Sequence, residues 1–124
     1  MATDAIEKLL NDLMNEIPDI EGLVLSRNNG DLVVSQTIFP DLDDYQISKT
    51  AVDVAESALR LSGTIDKGEI KELNVEFKDG FCLITSKNDL VLTVICATDA
   101  RSQLGLIKMN LQKTLSVICK EIGD

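Results

Sequence analysis

"EIKELNVEFKDGFCLITSKNDLVLTVIC", Glu69 to Cys96, is the stretch whose reading decides the fold of this 124-residue chain. Leu73, Val75 and Phe77 alternate with Glu72, Asn74 and Glu76, the period-two pattern of a strand with one apolar and one wet face. Lys78-Asp79-Gly80 then turns the chain into "FCLITS", and Lys87-Asn88-Asp89 turns it again into "LVLTVIC". These last two runs are apolar at consecutive positions. Both of their faces need cover, so they belong near the centre of an antiparallel sheet, and the charged first run belongs at its edge.

Working outward toward the N-terminus, Asp43 followed by Gln46 has the spacing of a capping box and Pro40 marks a loop. A helix is therefore expected from about Asp44 to Ser62, stopped by Gly63. At 100° per residue, Ala51, Val52, Val54, Ala55, Ala58, Leu59 and Leu61 fill about a 180° arc, wider than the stripe of an ordinary surface helix. This helix has two things to touch. Along its centre Ala51, Ala55, Ala58 and Ser62 leave room for a second backbone to approach closely.

Further back, "IEGLVLSR" and "DLVVSQ" bracket Asn28-Asn29-Gly30 as two strands of a hairpin, with Asn-Gly expected as a type I′ turn. The turn lacks the spaced carboxylates of a calcium loop. Ile6, Leu9, Leu10, Leu13, Met14 and Ile17 mark a first amphipathic helix, with Thr3 or Asp4 as its cap and Pro18 beyond its end. After Cys96, Asp99 is the expected cap of a last helix striped by Leu104, Ile107, Leu111, Leu115, Ile118 and Ile122.

The order is α-β-β-α-β-β-β-α, expected as one α+β domain over residues 1–124. Its five-stranded antiparallel sheet has helices one and three on one face and helix two on the other, in a profilin- or longin-like topology. A single helix about 10 Å wide does not cover five strands spaced about 4.8 Å apart. A second copy is expected to complete the cover, giving a homodimer.

Composition excludes several functions. With 12 Lys+Arg against 21 Asp+Glu the formal charge is −9, and aromatics make up 3% of the chain, so neither a nucleic acid nor an anionic membrane is an expected partner. Histidine is absent, which removes the usual general base and most metal sets. Cys82, Cys96 and Cys119 are widely spaced in apolar runs and read as buried thiols in a reducing, cytoplasmic setting. The first residues carry acids at an amphipathic period rather than an export signal, and "LVLTVICA" is too short to span a bilayer as a helix. No catalytic residue, cofactor or metal is expected. Asp41, Asp43 and Asp44 read as a helix start, where the dipole favours acids.

The element order, with "IEGLVLSRNNGDLVVSQ" after the first helix and "GEIKELNVEFKDGFCLITSKNDLVLTVIC" ahead of the last, resembles the roadblock (dynein light-chain) family from about Ala5 to Gly123. Its more specific parts are Gly22, the Asn29-Gly30 turn, Gly80, and Gly105 with Leu106 and Ile107. The resemblance implies a non-enzymatic dimer serving Ras-like small GTPases, a related roadblock or longin protein, or motor and signalling complexes. The dimer role it implies falls on Ala51, Ala55, Ala58 and Leu59 of helix two and on Leu73, Asn74 and Val75 of the third strand. The outer face of helix two, Lys49, Asp53, Glu56 and Arg60 beside Val52, is the expected partner surface. Arg27, Arg60 and Arg101 are the only arginines available as a finger to a GTPase. Leu106 and Val117 lie on the polar side of the last helix and rank below helix two as contacts. The competing reading is a small-ligand sensor of the same topology, which needs a pocket with convergent polar groups.

Overall fold

The computed structural model describes residues 2–122; Met1, Gly123 and Asp124, inside the expected domain span, lie outside the described residues. The elements are α1 (Ala2–Glu16), β1 (Ile20–Arg27), β2 (Leu32–Thr37), α2 (Asp44–Ile65), β3 (Glu72–Phe77), β4 (Gly80–Lys87), β5 (Leu90–Ala97), a 3-10 segment (Thr98–Gln103) and α3 (Leu104–Ile122). The strands form one sheet in the order β2-β1-β5-β4-β3, every neighbouring pair antiparallel. As expected, β5 is central and β3 is an edge.

The two faces of the sheet carry cores of very different size. Leu23 and Leu25 of β1, Phe81 and Leu83 of β4, and Leu90, Leu92, Val94 and Cys96 of β5 meet Ile6, Leu10 and Leu13 of α1 and Ile17 just beyond its end. Ile107, Leu111, Leu115 and Ile118 of α3 complete that core. On the other face a small cluster of Ala51, Val52, Ile84 and Val91 holds α2, with Ala55 and Leu73 against it. Ser48, fully buried, pins the start of α2 to the first hairpin: its hydroxyl lies 2.6 Å from Ser26 Oγ and donates to the Gly30 carbonyl at 2.8 Å.

Four local expectations need correction. Asn28 and Asn29 do not take positive φ; Gly30 does (φ 97°), and its N–H donates to the Arg27 carbonyl at 2.9 Å, so the hairpin is a type I turn closed by a glycine bulge rather than type I′. Asn29 Oδ1 accepts from the Asp31 N–H at 2.9 Å, which holds that geometry without a left-handed asparagine. Helix α2 runs through Gly63, around which a side chain would find only open space, and ends where Asp66 turns left-handed (φ 60°). A helical glycine costs about 1 kcal/mol but ends a helix only when the backbone there leaves the helical well. Asp99 does not cap α3, because β5 runs first into the 3-10 segment, whose N-cap Ala97 makes no side-chain bond. Thr3 and Asp4 lie inside α1 rather than before it.

The cap of α2 is as expected: Asp43 Oδ1 accepts from the Gln46 N–H at 3.1 Å. Gln46 turns its amide to Thr50 Oγ1 at 3.2 Å, so the reciprocal half of the box is not made. Gly80 is fixed by close approach. A Cβ there would stand 2.4 Å from the Cys96 carbonyl oxygen across the strand pair.

Candidate interaction surface of helix two and the third strand

Alternation along β3 sets two faces but not which layer each meets. Glu72 and Glu76 point to the α3 side, where Lys108 Nζ pairs with Glu72 at 2.7 Å and Arg101 Nε donates to Glu76 at 2.7 Å. The Arg101 guanidinium also stands 5.7 Å from the centre of the Phe81 ring. The charged face of β3 is therefore engaged by the 3-10 segment and α3. Its apolar face, Leu73, Val75 and Phe77, is the one left open, and Phe77 is 56% exposed.

The opening follows from where α2 lies. The helix packs on β1, β2 and β5, and its small cluster reaches β4 and β3 only through Ile84 and Leu73. Beyond it a groove of about 480 Å³ is lined by Phe39 and Leu42 of the β2–α2 loop, Phe77, and Cys82 and Ile95 of the sheet. On α2 itself Val54, Leu61 and Ile65 are exposed, at 37%, 61% and 53%. With half-buried Ala58 their spacing of four, three and four makes one helical stripe. An open apolar helix stripe, an open apolar strip of sheet and a free strand edge thus occur on one face.

Residues expected at the dimer interface divide accordingly. Leu73 and Val75 are half-buried and Asn74 is exposed on the free β3 edge; Ala58 is half-buried on the stripe. Ala51 and Ala55 rest against the sheet in the small cluster. Leu59, 54% exposed, projects about 140° around the helix from Val54 and lines a different cavity. Of the expected partner surface, Lys49, Asp53, Glu56 and Arg60 are exposed, but Val52 is corrected: at 4% exposure it is wedged against the sheet. Ile65, Phe77 and Phe39 are not among the interface residues expected from the sequence, although Phe77 is read there as part of the apolar face of its strand. Ile65 was legible had the helix been continued past Gly63 at the same spacing; Phe39 and Phe77 are brought together only by the folded sheet.

The arginines differ in freedom. Arg27 pairs with Asp89 at 2.8 Å and Arg101 with Glu76, whereas the Arg60 guanidinium, among the described residues, donates to the Ser57 hydroxyl at 2.9 Å and is in no ion pair. Burial pushes the Cys82 thiol up from its ordinary 9.0. Burial, helped by the charges of Cys82, Glu21 and Asp19, pushes Cys96 up to about 12. That is the reverse of what a thiolate nucleophile requires. No cluster of metal-binding side chains occurs among the described residues, and no helix there is long and apolar enough to cross a membrane.

A Roadblock/LC7 domain model matches residues 6–96, from α1 to the end of the central strand. The chain belongs to the Roadblock/LC7 family. Sequence comparison with curated proteins gives no match. Among solved structures, this Roadblock/LC7 chain is similar to MglB of Myxococcus xanthus (TM-score 0.83, 20% identity, 95% of this chain and 94% of that one). It is similar also to a Roadblock/LC7 domain of Streptomyces avermitilis (TM-score 0.80, 16% identity, 94% and 97%). An MglB described as having a tetrameric arrangement superposes with a TM-score of 0.86 at 10% identity, over 97% and 89% of the two chains. At these identities the likeness is one of fold.

Proposed function

We propose that this Roadblock/LC7 chain is a non-enzymatic, cytoplasmic homodimeric scaffold that regulates a Ras-like small GTPase or its assemblies. The carrying observation is the coincidence, on one face, of the Val54–Leu61–Ile65 stripe, the bare strip beside Phe77 and the free β3 edge. A two-fold axis beside β3 pairs that edge with its mate and sets the two α2 stripes against each other, closing the sheet from both sides. Burying four half-exposed apolar side chains per protomer contributes about 1 kcal/mol each. Doubled by symmetry and joined by β3 hydrogen bonds, this competes with an association cost of about 4–15 kcal/mol.

The outer polar face of α2, Lys49, Asp53, Glu56 and Arg60, stays exposed in such a dimer and forms its platform. The non-enzymatic reading is supported by the absence of histidine from the sequence and by thiols held in their neutral form. Light scattering tests the dimer, with an expected mass about twice 13.6 kDa. Leu61→Arg should return the mass to that of one chain. Capture of a Ras-like GTPase by the dimer, compared between its GTP and GDP forms, tests the platform; capture indifferent to both nucleotide and GTPase identity sinks that part.

A further inference from the structure

A second cavity, of about 580 Å³, lies on the flank of α2 away from the open stripe, between the helix and the tips of the β1–β2 and β4–β5 hairpins. Its accessible apolar walls are Leu59 and half-buried Ile70, with the buried Val52 and Val91 at its base. Glu56 from α2 and Glu69 from the segment before β3 also line it, and neither is in an ion pair among the described residues. The cavity's cation, Lys87, has its Nζ bonded to Ser116 Oγ at 3.1 Å, so it does not neutralise them. At the mouth, Asn28 and Asn88 belong to the two hairpin tips, Asn88 in a left-handed conformation (φ 57°). Neither amide side chain is in a hydrogen bond among the described residues.

The chemistry of this lining defines what fits. An aliphatic lining the size of a small-molecule pocket takes a leucine-sized anchor. Two unpaired carboxylates in a chain of net charge −9 take a lysine or arginine beside that anchor, whose own methylene stem lies along the apolar walls. Two free amides, each both donor and acceptor, suit the main chain of an extended segment more than the head of a small molecule. We infer that the groove between helix two and the two hairpin tips is a docking site for a partner polypeptide segment carrying an aliphatic anchor next to basic residues. Leu59 then acts as a wall of this groove, and Glu56 and Glu69 select the charge. The site does not depend on the dimer, because its residues lie off the stripe of Val54, Leu61 and Ile65; it shares Glu56 with the proposed platform, whereas Leu59, Glu69 and Ile70 belong to the groove alone.

The test uses the full chain and a fluorescein-labelled peptide with a Leu-Arg-Leu-Lys core, followed by anisotropy, against the same peptide with glutamate in place of its basic residues. Expected is saturable binding of the basic peptide alone, weakened roughly tenfold or more by Glu56→Gln combined with Glu69→Gln and lost in Ser86→Trp, which plugs the mouth from an exposed position. The double variant removes only two of nine net negative charges, so attraction to the chain as a whole would barely change. No binding up to about 1 mM peptide, equal binding of the acidic peptide, or indifference to both variants overturns the proposal. Binding of octylguanidinium as tightly as the peptide reassigns the groove to small cationic amphiphiles and overturns it as well. Solution mass, read on every variant, should stay at the wild-type value. A failed dimer reading would show in that mass while leaving peptide binding intact.

Discussion

The face of the sheet under α1 and α3 and the face under α2 are made from the same strands, residue by residue in alternation, yet they end in different states. Leu92 and Val94 of β5 are completely buried beneath two helices, while two positions from Ile84 on the other side Cys82 is only half covered. Two helices side by side span most of five strands; one helix does not, and this one is laid toward β1 and β2. The difference separates residues that hold the subunit together from residues left open on the surface, which the proposed dimer would use. Apolar side chains on the first face are spent on folding, and those on the second remain available for association.

The largest test of that division is a cavity in the first face. Phe81→Ala should lower the unfolding free energy by about 3–5 kcal/mol in urea titration, since Phe81 is completely buried in the large core. A loss under about 1 kcal/mol would mean the two faces are less distinct than their burial indicates. Gly80→Ala comes next. Its new Cβ would crowd the Cys96 carbonyl and force β4 from β5, for an expected loss of about 1–3 kcal/mol.

Counted per pH unit, a smaller effect comes from the buried Cys96 thiol. The folded Cys96 thiol ionises near 12 against an ordinary 9.0, so the unfolded chain releases the proton first as pH rises. Stability from this group is complete below about pH 9 and falls by roughly 1 kcal/mol per pH unit from there toward 12. Thermal melts from pH 8.5 upward should show that slope, and Cys96→Ala should flatten it. The smallest expected effect on subunit stability, about 0.5 kcal/mol or less, belongs to Leu61→Ser on the open stripe. Its signature is instead a rise in the concentration below which the proposed dimer dissociates, seen by dilution in light scattering, with melting of the separated subunit unchanged.

Much of this was legible in the sequence. The consecutive apolar runs "FCLITS" and "LVLTVIC" place β4 and β5 inside the sheet because only a strand covered on both sides tolerates that pattern. Asp43 marks the start of α2 because its carboxylate satisfies an orphan N–H at a fixed offset. The end of the same helix was less legible, since Gly63 permits a left-handed turn without requiring one and Asp66 takes it instead. The NNG turn was legible as a turn and misread in type, because the Asn29 side chain and Gly30 offer a second solution of equal length.

What the sequence determined by itself is periodicity: which residues share a strand face or a helix stripe, where caps and tight turns fall, and that no histidine-based chemistry is available. Which layer each face meets was decided only in three dimensions. Glu72 and Glu76 look like the wet side of an edge strand until Lys108 and Arg101 are seen against them, and only then does the apolar side of β3 become the open one. The physical reason is that alternation is a local property of backbone geometry, whereas cover depends on where distant helices, fixed by their own cores, come to rest.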